Sequence, residues 1–296
     1  MNIVISGGSG LIGRQLTNAL TAQEYHVTIL TRSPEKYQGN DLVSYAHWSP
    51  SSLSVDKHAI AESDVVINLA GATVAQRWTE KTKKAILDSR VNSTRTLVEA
   101  MKDGKQRAFL SASAIGLYPF GDDNFKEDHA PGSGFLSDVV RDWEIEALKA
   151  AQDGHRTALI RIGVVLAKDG GALERLVPIF KLGLGSAVGD GKQWQSWIHI
   201  DDLVNIFLFA LENNLSGAYN AVAPNPVTNK EMSRQLAQAL GRPFWAPNVP
   251  GFVLKMIFGD MSEVILRSQK VSAKKLKDSG FNFSFPNIDQ ALANLL

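Results

Sequence analysis

The first thirteen residues constrain this chain more than any other stretch. Asn2-Ile3-Val4-Ile5-Ser6 is a short apolar run, and Gly7-Gly8-Ser9-Gly10-Leu11-Ile12-Gly13 follows at once. From there to Leu20, residues Leu11, Ile12, Leu16, Ala19 and Leu20 fall near helical spacing. The pattern predicts a strand, a tight glycine turn and a helix. Gly7 permits the turn off the strand, Gly10 presents no side chain to a close ligand, and Gly13 lets the helix pack on the sheet. Free N–H groups at the positive end of the helix then suit a pyrophosphate. The expected set is Gly7, Ser9, Gly10, Leu11, Ile12 and Gly13. The alternative is a strand–turn–helix with no ligand. A position directly after a strand and opening a helix is the context that the dinucleotide reading requires.

The chain's 296 residues suffice for one large domain or two modest ones. Hydrophobic residues make up 44% and charged ones 21%, the balance of a globular protein. A formal net charge of +1 supplies no bulk field for nucleic acid or an anionic membrane. The lack of cysteine excludes disulfides, thiolate metal sites and a cysteine nucleophile. No apolar run reaches the roughly 20 residues of a membrane span, and the amino end lacks a basic-then-apolar leader. The expectation is a cytoplasmic protein with a small-molecule substrate and no nucleic-acid or membrane partner.

His26 to Thr31 predicts the second strand. In a dinucleotide fold the residue just past it reads the adenosine ribose, an acid for a free 2′-hydroxyl and a base for a 2′-phosphate. Thr31-Arg32-Ser33 puts a base there, with Lys36 nearby and no acid before Glu35. This favours NADP over NAD, unless Arg32 is only a solvated loop residue. Val65 to Asn68 reads as a buried parallel strand that exits through Leu69, Ala70 and Gly71; small residues there let the backbone pass close to a cofactor. A long helix is predicted from the N-cap Thr79 to about Gly104. On it, Arg90 either reaches a phosphate or lies on a solvated face, and the solvated face is the expectation for Arg95. Arg107 to Ala114 is the next strand, carrying Ser111 and Ser113. A loop rich in Gly, Asp and Pro then runs from Gly116 through Tyr118 to Gly134. Phe135 to Ala151 reads as a helix with Trp143, Ile145 and Leu148 partly buried. Thr157 to Ile162 is a further strand and Gly217 to Val222 a short one. Helices are expected over Leu173–Phe180, Leu203–Leu211 and Asn229–Leu240, and near Pro250–Phe258, Val271–Ser279 and Asn287–Leu295. Gly280 to Phe283 shows alternation. His199, Asp201 and Asp202 look like a metal trio without a fourth ligand; the expectation is no metal, with Asp201 or Asp202 capping the next helix.

Several of these pieces together resemble the atypical, epimerase-like, extended short-chain dehydrogenases of YfcH type. They are the G-x-x-G-x-x-G turn, Asn68 to Gly71, Ser89-Arg90, Ser111-Ala112-Ser113, Trp143-Glu144, Gly170-Gly171, Ser196 to Asp202 and Asn220 to Pro226. The resemblance covers essentially the whole length. It implies an α/β fold: a Rossmann-type doubly wound parallel sheet with a smaller carboxyl-terminal substrate lobe. Residues 1–168 plus about 200–222 would bind NADP; 169–199 and 223–296 would form the lobe. It also implies a homodimer built on a four-helix bundle, and action on a nucleotide sugar or a related carbonyl or polyol.

In that superfamily a Tyr acidified by a Lys four residues later moves a hydroxyl proton while hydride moves on the nicotinamide. Ser113 falls where the resemblance places the hydroxyl that bonds the oxyanion. The Tyr/Lys pair should lie about two dozen residues later, where the chain reads Phe135 to Asp142 without Tyr or Lys. Tyr118 is the substitute acid/base, against the alternative of a packed, hydrogen-bonded tyrosine. Glu127 and Asp138 are other titratable groups on that side. Two functions follow: an NADP-dependent oxidoreductase or epimerase-like enzyme, and a non-catalytic NADP-binding sensor or assembly module that lacks the acid/base pair.

Overall fold

A computed structural model describes all of residues 1–296. The opening forms as the spacing predicts: β1 (Asn2–Ser6), a glycine turn, and α1 (Leu11–Ala22). The centre of β1 is apolar because it is covered on both faces, with Ile3, Val4 and Ile5 all buried. Next come β2 (His26–Thr31), β3 (Val43–Ser49), β4 (Ser54–Val55), α2 (Lys57–Glu62), β5 (Val65–Asn68) and α3 (Glu80–Ala100). They are followed by β6 (Ala108–Ala114), β7 (Gly121–Phe125), α4 (Phe135–Gln152), β8 (Arg156–Ile162), β9 (Val164–Ala167) and α5 (Gly171–Lys181). After these come β10 (Trp194–Gln195), β11 (Trp197–His199), α6 (Ile200–Glu212), β12 (Gly217–Ala221), β13 (Val227–Thr228) and α7 (Asn229–Ala239). The chain ends with α8 (Gly251–Phe258), α9 (Ser262–Leu266), β14 (Gln269–Val271), α10 (Lys274–Asp278) and α11 (Ile288–Leu295).

The main sheet has the order β12-β8-β6-β5-β1-β2-β3-β4, parallel except for the β3–β4 pair. The chain winds outward from β1 through β2 and β3, then returns to β5 on the other side. That reversal puts the crevice at the carboxyl ends of β1 and β5, where ligands of doubly wound sheets bind. The alternation Ile3, Val4, Ile5 separates the two faces. Ile3 and Ile5 join Leu16, Leu20, Leu203 and Phe207 under α1 and α6. Val4 joins Leu97, Phe109 and Ala147 under α3 and α4. A separate cluster gathers Leu173, Trp197, Leu236 and Leu292 beside the sheet. There short pairs, β9 with β11 and β10 with β13, replace a continuous sheet.

Four local expectations are corrected. The loop from Gly116 to Gly134 contains β7, which pairs with β14. Its sequence Gly-Asp-Asp-Asn-Phe buries only Phe125, so the strand exists through its partner's edge and not through its own pattern. Ile145 and Leu148 are exposed, because the buried stripe of α4 runs through Val139, Val140, Trp143, Ala147 and Ala150. The cap of α6 is His199, whose Nδ1 accepts the Asp201 N–H at 3.1 Å. Asp202 instead accepts the N–H groups of Ser284 and Phe285, at 2.8 and 3.0 Å, and so ties the 280s to α6 without a strand. Arg95 is not merely solvated: its Nη2 pairs with the nearly buried Glu146 at 2.9 Å.

No helix is long and apolar enough to cross a membrane. Gly13 supplies a direct test of the α1–β1 contact. A Cβ there would lie 2.3 Å from Gly7 O and 2.6 Å from Gly8 Cα, both backbone. Gly13→Ala is expected to cost more than about 2 kcal/mol in urea unfolding. Gly104→Ala, with nothing within 4 Å, should cost only the roughly 1 kcal/mol of left-handed strain. Equal losses would contradict the close packing.

Candidate functional site

The floor of the crevice is backbone. Gly7 has φ +74, and a Cβ on it would lie 2.8 Å from Leu69 C. The turn therefore presses directly on the exit of β5, and only glycine satisfies both conditions. Gly10 closes the turn by donating to Gly7 O at 3.0 Å, and its own carbonyl accepts the first helical bond, from Arg14 N, at 2.9 Å. The N–H groups of Leu11, Ile12 and Gly13 precede that bond and are the orphan donors of the 12-residue α1. A Cβ on Gly10 would meet only Gly7 O, at 3.2 Å, so open space lies over these donors. Leu11 turns its side chain onto Gly170. Ser9 is exposed at the crest, its carbonyl accepting from Arg14 Nη1 at 3.1 Å. This cradle fits a pyrophosphate: uncapped donors, no acidic side chain in the first turn of α1, and no Cβ in the way.

The other predicted cofactor residues fall around it. Leu69 and Ala70 are half-buried, and Gly71 is exposed. Below them a buried network holds the strand ends together. Ser6 Oγ donates to Asn68 Oδ1 at 2.7 Å, and Asn68 Nδ2 donates to Thr94 Oγ1 at 2.8 Å. Thr31 Oγ1 accepts from Ser33 N at 3.4 Å. Arg32 stands exposed at the exit of β2 with its guanidinium unpaired. Arg90 is half-buried and not on a solvated face. Its Nη1 donates to Ala72 O and Ile86 O, at 3.0 and 3.1 Å. The guanidinium lies 5.3 Å from the Trp143 ring and packs beneath Gly71, whose Cβ would be 3.1 Å from Arg90 Cζ. Burial pushes this guanidinium down to about 10. Ser111, a candidate cofactor contact from the sequence, is fully buried, and its Oγ donates to Ala112 O at 3.0 Å, so its hydroxyl serves the sheet.

The hydroxyls of Ser113 and Tyr118 are both committed to one buried network. Ser113 Oγ donates to Glu144 Oε1 at 2.5 Å. Arg161 grips the same carboxylate with Nε and Nη2, at 2.8 and 2.9 Å. Its Nη1 donates to Tyr118 OH at 2.8 Å, and that hydroxyl donates to Asn220 Oδ1 at 2.7 Å. Glu127 closes the circuit: its carbonyl accepts from Arg161 and its side chain accepts from Asn220 N, each at 2.9 Å. Burial would lower Arg161, but Glu144 and the Tyr118 hydroxyl hold it above the usual range. Burial raises Tyr118 to about 12, against the opposing pull of Arg161. Tyr118 is 1% exposed, and its hydroxyl is hydrogen-bonded on both sides, by Arg161 and to Asn220. The geometry gives Tyr118 the packed, hydrogen-bonded setting. Asp138 is exposed and pairs with Arg141 at 2.8 Å.

Leu136 and Val140, four residues apart on α4, face Gly116: a Cβ there would be 3.6 Å from Leu136 Cβ and 3.8 Å from Val140 Cγ2. Next to them opens a cleft of about 310 Å3. Trp78, Phe120 and Leu136 line it, along with Lys83, Asp260 and Glu263. Sequence reasoning missed this part of the site. Lys83 belongs to a solvated-looking helix face, and Asp260 arrives from 177 positions away. Glu144 was visible only within the resembling motifs, and Arg161 only as part of a strand; a carboxylate among the apolar residues of α4 was the available signal. No group of three or more His, Cys, Asp or Glu side chains is placed to hold a metal. His199 is spent on Asp201 N and Asn294.

Two substitutions separate structure from chemistry here. Glu144→Gln leaves Arg161 charged and unmatched in a buried site, and is expected to cost about 3–5 kcal/mol in urea unfolding. Tyr118→Phe removes one hydrogen-bonding group and should cost about 1–3 kcal/mol. A change below about 0.5 kcal/mol in either would contradict the network.

Residues 3–222 match the model of the NAD dependent epimerase/dehydratase family, and residues 249–295 match a domain of unknown function, DUF1731. The chain is 38% identical to the epimerase family protein SDR39U1 homolog of Arabidopsis thaliana, described as chloroplastic, over 100% of this chain and 87% of that protein. It is also 38% identical to the epimerase family protein YfhF of Bacillus subtilis, over 100% and 98% of the two chains. The crystal structure of human epimerase family protein SDR39U1 with NADPH superposes with a TM-score of 0.86, at 32% identity, over 100% of this chain and 99% of that one. UDP-glucuronic acid 4-epimerase from Bacillus cereus, in complex with UDP-glucuronic acid and NAD, shares the fold at 18% identity, with a TM-score of 0.78 and coverage of 100% and 98%.

Proposed function

We propose, from the premise that this chain belongs to the NAD-dependent epimerase/dehydratase family, that it is an NADP-dependent oxidoreductase of epimerase-like type acting on a carbonyl or polyol compound. The observation that carries the reading is the open cradle over Gly10, at the point where the sheet reverses. The fold and the family support a nicotinamide dinucleotide as cofactor. Arg32 favours the 2′-phosphorylated form, since an exposed, unpaired guanidinium with no neighbouring acid suits a phosphate better than a ribose hydroxyl. The NADPH bound by the human relative supports the same choice.

In this reading the N–H groups of Leu11, Ile12 and Gly13 hold the pyrophosphate, and Arg32 holds the 2′-phosphate. Leu69, Ala70 and Gly71 offer backbone without bulk along the cofactor's path. Arg90 brings a largely desolvated positive charge under Gly71, where it favours anionic groups above it. When bound, the nicotinamide supplies hydride-transfer chemistry. Leu136, Val140 and Gly116 form a wall that excludes water. The buried Glu144–Arg161 pair fixes the exit of β6 through Ser113, and Tyr118 positions the loop beyond it.

One observation favours the second reading, an NADP-binding module without turnover. Leu136 and Val140 carry no proton, and Ser113 and Tyr118 direct theirs inward. Reduction of a carbonyl needs a proton donor as well as hydride. The two readings part on one experiment: NADPH binding by calorimetry beside NADPH oxidation over a panel of aldehydes, ketones and nucleotide sugars. Binding with oxidation supports the enzyme. Binding without oxidation of any carbonyl supports the module.

The cofactor choice has its own check. Arg32→Asp is expected to weaken NADPH by about 1.5–3 kcal/mol, the range of a charge-assisted hydrogen bond. NADH should change by less than about 0.5 kcal/mol. Equal weakening of both would remove the 2′-phosphate argument.

A further inference from the structure

A nucleotide sugar entering the cleft beside Leu136 would bring its diphosphate up to the charges that line it. One cation, Lys83, lines it against two carboxylates, Asp260 and Glu263, so the lining sums to −1. Lys83 is already committed: its Nζ lies 3.1 Å from Asp260 and 3.7 Å from Glu80. Arg267, just outside, stacks 4.9 Å from the Phe120 ring and pairs with Glu263 at 3.1 Å. Arg77 is exposed near Gly259 and does not line the cleft. A diphosphate placed here would break two ion pairs and face two carboxylates, and like charges brought together cost several kcal/mol.

The remaining walls mix rings and aliphatic groups with the hydroxyl-bearing Ser133, Ser137 and Tyr118. Phe120, Phe135, Leu136 and Val264 line the cleft, and Trp78 is held by its indole N–H donating to Val74 O at 3.0 Å. At about 310 Å3 the space lies at the small end of the roughly 300–1,000 Å3 of ligand pockets. We infer that this cleft takes a small, uncharged, ring-bearing carbonyl compound, and not a nucleoside diphosphate sugar. The inference rests on the oxidoreductase reading for the carbonyl and on the cleft alone for charge and size. Selectivity here comes from repulsion as much as from fit, because the carboxylates exclude anions whatever their shape.

The test uses the full chain with and without saturating NADPH, and NADPH binding is first measured by itself. Failure of that first measurement falls on the cofactor reading, whereas the cleft still reports through Trp78 fluorescence and saturation-transfer NMR. The probes are benzaldehyde, cyclohexanone, UDP and UDP-glucose. The neutral probes are expected to bind with Kd of about 1 mM or tighter. Phe120→Ser should weaken benzaldehyde by about tenfold or more, the value of a lost aromatic wall. UDP and UDP-glucose should not saturate the native protein by about 5 mM. In the Asp260→Asn/Glu263→Gln double variant, which frees Lys83 and Arg267, UDP affinity should rise by about tenfold or more. Saturation of the native protein by UDP or UDP-glucose, lost in Lys83→Ala, overturns the inference. So does failure of both neutral probes to bind, or benzaldehyde binding indifferent to Phe120→Ser. Thermal unfolding of each variant separates loss of fold from loss of binding.

Discussion

The nucleotide half of this structure depends on a contact between two backbones. Gly7 turns off β1 with φ +74 and meets Leu69 and Ala70 within 3 Å of where a Cβ would stand. Gly13 meets the carbonyl of Gly7 from the other side. These approaches leave no room for side chains, so the end of β1, the exit of β5 and the start of α1 converge on one small area. The convergence aims the orphan donors of α1 into open space and not into packed protein. The Ser6–Asn68–Thr94 hydrogen bonds beneath it are fully buried and tie α3 to the same point.

A second buried feature decides what the other half of the crevice can do. Glu144 and Arg161 are paired through two hydrogen bonds, and every remaining polar atom around them finds a partner in Ser113, Tyr118, Glu127 or Asn220. A buried ion pair contributes little net stability against a well-packed apolar alternative, but losing one partner is costly. Its effect here is positional: it fixes the β6 exit, the loop carrying Tyr118 and the edge strand carrying Asn220 to one another. It also turns the hydroxyls of Ser113 and Tyr118 inward. The apolar pair Leu136 and Val140 then forms a wall where the family resemblance leads one to expect proton transfer.

The fold was legible from sequence where local pattern and global position agree. The apolar runs of β1, β2, β5, β6 and β8 and the cap Thr79 required no long-range knowledge. The glycine turn announced the cradle because each glycine has a separate steric reason. What escaped was set by tertiary partners. β7 is polar and exists through β14. The His199 cap displaced the aspartates because Asp202 was needed by Ser284 and Phe285. Ser111 and Ser113 sit on one strand, but a strand's alternation does not say which hydroxyl finds a buried acceptor. The cleft beside Leu136 joins α3, α4 and the segment after α8, so no single stretch of sequence could show that Lys83 meets Asp260.

The central claim is a dinucleotide laid across the bare turn with its reactive end against an apolar wall. A crystal structure of the protein with NADPH tests this most directly. The account expects the pyrophosphate over Gly10 at the start of α1, the 2′-phosphate within hydrogen-bond distance of Arg32, and Leu136 or Val140 as the α4 side chain nearest the nicotinamide C4. A cofactor bound away from the Gly7–Gly13 turn, or a titratable side chain of α4 brought to C4, would contradict it.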